Sequence, residues 1–181
     1  GTITRPDMSV SDVVFLKDNV GKLIAGVAGN MDDDNETMKA IKNYYHITGR
    51  DNSAERVYSF SSQNKYSGAV LDGRCYIFGA PEYVLLDTYA EYEDIFERYS
   101  GHGERILVFG ECVGDPCGNI IEEAVNPYAF IILENEIRDT AKETFGYFAS
   151  QGVDIVVISG DNPVTASKVA VRAGINNAEN Y

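Results

Sequence analysis

Asp72-Gly73 divides two short runs, Gly68-Ala69-Val70-Leu71 and Arg74-Cys75-Tyr76-Ile77-Phe78, that are rich in β-branched and aromatic residues. A two-residue Asp-Gly linker favours a primed hairpin turn, whose central residues take positive φ. The chain is therefore committed to at least one antiparallel pair. Val57-Tyr58-Ser59-Phe60 reads as a third strand ahead of that pair, and 105–109 and 128–133 as two more behind it. Val13-Val14-Phe15-Leu16 reads as a further short strand near the start. Between these runs lie helical signals. Asp32-Asp33-Asp34-Asn35 resembles a helix entry, with acids near the positive end of the dipole, and Met38, Ile41, Tyr44 and Tyr45 recur behind it at helical spacing. Pro81 opens another helical stretch with Glu82, Val84 and Leu85, and a second follows over 92–99. Hairpin-linked strands with interspersed helices predict an antiparallel α+β unit.

The texture changes after Leu133. Ile137, Ala141, Phe145 and Phe148 mark one face of an amphipathic helix that Gly152 closes. Val153-Asp154-Ile155-Val156-Val157-Ile158 then reads as a strand buried on both faces, as in a parallel sheet. Ser159-Gly160-Asp161-Asn162 turns into a helix that begins at Pro163 and stops at Gly174. This is one helix–strand–turn–helix unit of an α/β sheet without neighbouring strands. The expectation is a sticky edge that pairs with Thr2-Ile3 or with another copy of the chain.

Composition removes several classes of function. The 181 residues carry 15 Lys+Arg against 28 Asp+Glu, a formal charge of −13, which argues against a broad basic face for nucleic acid or anionic lipid. No stretch approaches the roughly 20 uninterrupted apolar residues of a membrane helix. Cys75, Cys112 and Cys117 include no Cys-x-x-Cys pair, and only His46 and His102 could join them. Reduced thiols, rather than a disulfide framework or a metal site, are expected. The acid run at 32–35 lacks the Gly and distant Glu of a calcium-binding loop.

Four local patterns could carry chemistry. Ser159-Gly160-Asp161 follows a strand, where α/β sheets place ligands, and the next helix aims its positive end at an anion. Small Gly79 and Ala80 would let a flat ring approach the backbone. Phe60 offers a stacking face with Lys65 close behind it, and Arg105 suits phosphate oxygens. Each also has a plain structural account: a capped turn, a Pro-led helix start, a core aromatic, a surface ion pair.

Their order is more specific than any one of them. Gly1-Thr2-Ile3-Thr4 resembles the tail of the Asp-Lys-Thr-Gly-Thr-Ile-Thr phosphorylation motif of P-type ion-pumping ATPases. Phe60-Ser61-Ser62, Gly79-Ala80-Pro81-Glu82, Arg105-Ile106-Leu107 and Ile158-Ser159-Gly160-Asp161-Asn162-Pro163 with Thr165-Ala166 then follow as in that family. The resemblance implies an α+β nucleotide-binding domain, an antiparallel sheet with flanking helices, inserted in an incomplete α/β Rossmann-like phosphorylation domain. The segments would be 1–6, 7–133 and 134–181. It further implies that Phe60 stacks on adenine, Lys65 lines the same pocket, Gly79 and Ala80 form its wall, and Arg105 reaches the ATP phosphates. Thr2, Ser159, Gly160 and Asp161 would lie beside the transferred phosphoryl group.

The resemblance also implies partners and an activity. The parent would be a cation-transporting pump in the cell membrane, with this segment on the cytoplasmic side, using ATP and Mg2+ whose ligands lie mostly outside the chain. Its nucleophilic Asp would fall just before Gly1, so the chain is expected to bind ATP without hydrolysing it. Departures are expected to weaken the ATP contacts, because the family's Lys before Gly-Ala-Pro-Glu is here Phe78 and its Arg after Phe-Ser is either Ser62 or has its role taken by Lys65. Glu36 is a substitute for the acid of the family's first nucleotide-domain helix. Millimolar-range affinity is the expectation. Two other readings fit the same residues: a fragment of a soluble phosphatase of the haloacid dehalogenase superfamily, and a non-catalytic nucleotide-binding regulatory module.

Overall fold

The computed structural model describes residues 3–32, 35–100, 104–117, 119–158 and 163–179. Six strands form one antiparallel sheet: β1 (Thr4–Phe15), β2 (Arg56–Tyr58), β3 (Tyr66–Leu71), β4 (Arg74–Gly79), β5 (Arg105–Glu111) and β6 (Asn126–Ile137). Their order is β1-β6-β5-β4-β3-β2. The Asp-Gly hairpin forms as expected. Leu71 pairs with Arg74, and Asp72 and Gly73 take φ of 49° and 70°. β1 is much longer than the run at 13–16 predicts. Its polar start, Arg5-Pro6-Asp7, conceals an edge strand with register irregularities between Thr4 and Met8 and between Val10 and Asp12. Proline and irregular pairing are tolerated at such an edge.

Both faces of the sheet are covered. On one, α1 (Val20–Gly29) and α2 (Glu36–Tyr44) pack Ile24, Val27, Met38 and Ile41 against Tyr76, Phe78, Phe109, Ile131 and Leu133. On the other, α3 (Pro81–Val84), the 3-10 turn Leu86–Tyr92 and α4 (Glu93–Ser100) bring Val84, Leu85 and Phe96 onto Ile77, Val108, Phe130 and Ile132. The alternation along β6 is strict, Ile131 and Leu133 to one side and Phe130 and Ile132 to the other. Period-two side-chain geometry thus turns a continuous apolar run into two cores. Each of the large buried side chains contributes roughly 1.5–3 kcal/mol of transfer free energy.

Local signals explain the helix ends. The Asn35 side chain accepts the Met38 N–H at 2.9 Å and caps α2. α1 was not legible from spacing, because Gly21, Gly26 and Gly29 interrupt its apolar pattern. Two further helices, α5 (Ala141–Ser150) and α6 (Pro163–Arg172), follow the sheet. Gly152 and Gly174, at φ of 68° and 85°, end them in the same way. The residue after each glycine donates back into the helix, Val153 to Phe148 at 3.1 Å and Ile175 to Ala170 at 3.0 Å.

Two expectations need correction. Ile137 belongs to the end of β6 and not to the face of α5. Val153–Ile158 joins no ladder among the described residues. Val156 is 82% and Ile158 94% exposed. A buried parallel strand exists only with neighbours to accept its backbone hydrogen bonds, and none of the described strands lies beside this run. Ile3 pairs elsewhere, its carbonyl accepting the Arg138 N–H at 3.0 Å, while Thr2 falls outside the described residues.

Gly79 sets how closely α3 meets the sheet. A Cβ built there would fall 2.3 Å from Val84 Cγ1, and Val84 is fully buried. Gly79→Ala is therefore expected to destabilise the fold by about 1–3 kcal/mol. Adding Val84→Ala removes the obstructing methyls, so the double variant should cost less than the sum of the singles. Gly68→Ala, whose Cβ would lie 2.2 Å from the Tyr76 carbonyl oxygen, offers no such rescue. Chemical denaturation of the set checks this; strictly additive costs for the Gly79 and Val84 pair would refute it.

Candidate functional site

The antiparallel register gathers residues from distant parts of the chain at one end of the sheet. β2 and β4 finish there, and β3 and β5 begin there, because neighbouring strands alternate in direction. Phe60 lies two residues past the end of β2, and Lys65 immediately precedes β3. Gly79 ends β4, Ala80 caps α3, and Arg105 starts β5. β1 also starts and β6 also finishes at this end, with Thr4 opposite Ile137.

Phe60 is 49% exposed in the loop between β2 and β3, so it is a surface aromatic and not part of either core. The loop folds back on itself through the Lys65 N–H, which donates to the Ser61 carbonyl at 2.8 Å. Lys65 has φ of 60°, a left-handed conformation uncommon for a side chain of this size. Its own carbonyl accepts the Ala80 N–H at 3.2 Å and ties the loop to the start of α3. That bond joins the segments carrying Phe60 and Lys65 to the segment carrying Gly79 and Ala80.

The Lys65 ammonium lies 5.8 Å from the ring centroid of Tyr83, which is itself exposed on α3. Sequence reasoning missed Tyr83. Its place, three residues after Ala80 on a Pro-led turn, was the available signal. Arg105 is exposed at the first position of β5, opposite Leu133 of β6. Gly79 is buried beneath Val84, so its smallness is used for packing, whereas Ala80 is half-buried at the junction. Phe78 points the other way: it is 2% exposed and tilts against Phe109 with centroids 4.9 Å apart. The side chain that stands where the resembling family has a lysine is here a core residue.

Not every expected residue is brought together. Thr2, Ser159, Gly160 and Asp161 lie outside the described residues. Among the described residues, no three His, Cys, Asp or Glu side chains come together as a metal centre. Glu36, offered as a substitute acid, begins α2 and pairs with Lys39 at 2.7 Å.

No protein-family model matches the chain. Curated proteins do. Over 178 residues it is 35% identical to the calcium-transporting ATPase CtpE of Mycolicibacterium smegmatis, a match covering 97% of this chain and 22% of that protein. It is 31% identical over 189 residues to the probable cation-transporting ATPase exp7 of Streptococcus pneumoniae, covering the whole chain and 24% of the relative. The chain belongs to the P-type ATPase family. It spans about a quarter of the length of these relatives. A zinc-transporting PIB-type ATPase crystallised in its E2.Pi state shares the fold, with a TM-score of 0.63 at 17% identity, over 97% of this chain and 27% of that one. The match to P-type ATPases extends through 134–181 as well as through the sheet, since it covers nearly the entire chain.

The left-handed Lys65 separates stability from ligand chemistry. Lys65→Gly removes the ammonium while relieving the steric cost of positive φ. Thermal stability is expected to stay level or rise by up to about 1 kcal/mol. A clear fall in stability would show that the Lys65 side chain is a structural prop.

Proposed function

We propose that the chain is the nucleotide-binding part of a cation-transporting P-type ATPase, and that it binds ATP at the sheet end where β2, β3, β4 and β5 meet. The observation that carries this reading is the convergence of Phe60 and Lys65 from one loop, Ala80 from a second segment and Arg105 from a third, at that one end. Phe60 stacks on the adenine ring, an interaction worth about 1–3 kcal/mol per base in comparable sites. Lys65 lies in the same pocket, Gly79 and Ala80 keep its wall low, and Arg105 reaches toward phosphate oxygens with a fork suited to bidentate contact. Tyr83 adds a second aromatic beside the ammonium.

Phosphoryl transfer asks a protein mainly for positioning and charge neutralisation. In this reading the nucleotide domain holds ATP while an Asp carboxylate, supplied by the parent protein ahead of Gly1, attacks the γ-phosphorus. The bond to the β-γ bridging oxygen breaks, ADP leaves, and an aspartyl phosphate forms. Thr2, Ser159, Gly160 and Asp161 would surround that group, and segments 1–6 and 134–181 would be parts of the phosphorylation domain. Mg2+ would travel with the phosphates and screen their charge, and the described residues supply no ready cluster for it. Membrane helices would belong to the rest of the parent, because no helix among the described residues is long and apolar enough to cross a bilayer. The exposed Val153–Ile158 run would pack against that remainder, on the cytoplasmic side of the membrane. The functions of the relatives, calcium and cation transport, favour a pump over a soluble phosphatase or a regulatory module.

Titration with ATP, followed by NMR chemical shifts, tests the binding reading. Shifts should concentrate at Phe60, Lys65, Gly79, Ala80 and Tyr83 with an affinity in the millimolar range. Phe60→Ala should weaken binding about tenfold or more. Shifts scattered over the molecule, or unchanged affinity in Phe60→Ala, would remove the proposed pocket. The chain alone should release no phosphate from Mg-ATP above the level of Phe60→Ala, and should acquire no acid-stable label from γ-labelled ATP. Turnover above that control would show that the nucleophile lies within this chain.

A further inference from the structure

Two thiols face each other at the opposite end of β4 and β5 from Gly79 and Arg105. Cys75 is the second residue of β4, and Cys112 directly follows β5. The pairing of Tyr76 with Glu111 sets them across from one another, and the Cys112 backbone N–H donates to the Cys75 carbonyl at 2.9 Å. Both side chains lie on the face that carries Tyr66, Val70 and Ile77. Their thiols are hydrogen-bonded to each other. Cys75 is buried, Cys112 half-buried, and neither is in a disulfide.

Opposed residues of this kind have Cα atoms about 5.5 Å apart. A disulfide spans roughly 4.4–6.8 Å between Cα atoms. The backbone register therefore satisfies the Cα separation of a bridge. The thiols also share their protons unevenly. The hydrogen bond from Cys112 holds the Cys75 thiol below its usual range, although burial opposes this. The same bond, together with burial, pushes Cys112 upward. A pair coupled in this way gives up a first proton readily and resists loss of the second. The charged groups nearby are Glu111 at the end of β5, Arg56 from β2 and Asp115 from the loop after β5, whose carboxylate lies 2.5 Å from the guanidinium.

We propose that Cys75 and Cys112 form a thiol–disulfide exchange site that accepts a small-molecule disulfide of the glutathione class and closes a reversible bridge between β4 and β5. At rest the thiolate is favoured on buried Cys75; transfer of the Cys112 proton to Cys75 puts it on half-exposed Cys112, the sulfur that an oxidant can reach. Cys112 Sγ attacks one sulfur of the small disulfide, whose S–S bond breaks, and the departing thiolate takes a proton from water. Cys75 then gives its proton to water, and its Sγ attacks Cys112 Sγ. The mixed disulfide breaks and releases the second small thiol. Two protein thiols are oxidised by two electrons and one small disulfide is reduced to two thiols, so no further reactant is needed. Intracellular disulfides that do form are commonly transient or redox-sensing, which suits a bridge at a strand end. The exposed third thiol, Cys117, has its Sγ 3.6 Å from an Arg56 nitrogen and is the natural competitor.

The test incubates the intact chain with oxidised glutathione and maps peptides without reduction by mass spectrometry. Wild type and Cys117→Ser should each give a peptide pair joined through Cys75 and Cys112, two hydrogens lighter than the reduced pair. Excess reduced glutathione should reverse it. Cys75→Ala should stop at a glutathione adduct on Cys112. The wild-type and Cys117→Ser results decide the matter even if the Cys75 variant fails to fold. Adducts without a bridge in wild type, unmodified Cys75 and Cys112, or a bridge that runs through Cys117 would each overturn the proposal. The readout involves no nucleotide, so it stands or falls apart from the ATP-binding reading.

Discussion

Antiparallel pairing in a sheet buried on both faces is the constraint on which the rest of this molecule depends. Because β2 to β5 alternate in direction, one end of the sheet collects the finish of two strands and the start of two others. Phe60, Lys65, Gly79, Ala80 and Arg105 span 46 positions of the sequence (105 − 60 + 1) yet belong to that one end. The placement needs no long-range electrostatic steering. It follows from hairpin turns and ladder register, which the two apolar cores lock by filling alternate faces. A one-residue slip in β4 would exchange Phe78 with Ile77 between those cores and turn the Gly79 junction away from α3.

The same locking explains how the site differs from the family pattern. Phe78 stands where the resemblance implies a lysine, and its role here is in the core. Phe78 packs on Phe109 from the neighbouring strand, and Tyr76 stacks on the same ring with centroids 6.1 Å apart. Aromatic pairs of this kind contribute about 0.5–1.5 kcal/mol beyond simple burial. The position has been committed to stability. Lys65 and Arg105 bring positive charge to this end, and Phe60 and Tyr83 bring exposed aromatic surface.

Much of this was legible in the sequence. The Asp72-Gly73 turn, six of the seven expected strand runs and a helix entry at the end of the run 32–35 follow from local chemistry, and the structure bears them out. What stayed hidden was hidden for identifiable reasons. Glycines at 21, 26 and 29 masked α1, whose helix rests on tertiary packing of Ile24 and Val27 more than on propensity. A polar start masked the first half of β1. The runs at 128–133 and 153–158 have nearly the same apolar texture, yet one pairs with a strand on either side and the other pairs with nothing described. Texture reports that a segment seeks burial, and only the presence of partner strands decides whether it becomes a strand. Exposure of Phe60 was also beyond local reading, since an aromatic at a strand end can face a core or solvent. The loop bond from Lys65 to Ser61 settles which.

The way the sheet is connected bears on what it can do. The chain enters at Thr4 and leaves at Ile137, and these two residues are paired neighbours on β1 and β6. If 7–133 is an inserted domain, as proposed, it would be attached through two adjacent strands at the end that carries the candidate ligand residues. A unit tethered in this manner can turn as a body about a narrow attachment while its internal cores stay intact, since packed interiors move between discrete arrangements instead of deforming smoothly. In the proposed pump, that arrangement keeps a bound nucleotide close to the attachment. A modest rotation there would, in that proposal, change the distance between the γ-phosphate and a carboxylate on the neighbouring domain while leaving the proposed stacking on Phe60 in place. The two-strand attachment and the position of the pocket are therefore linked consequences of one register.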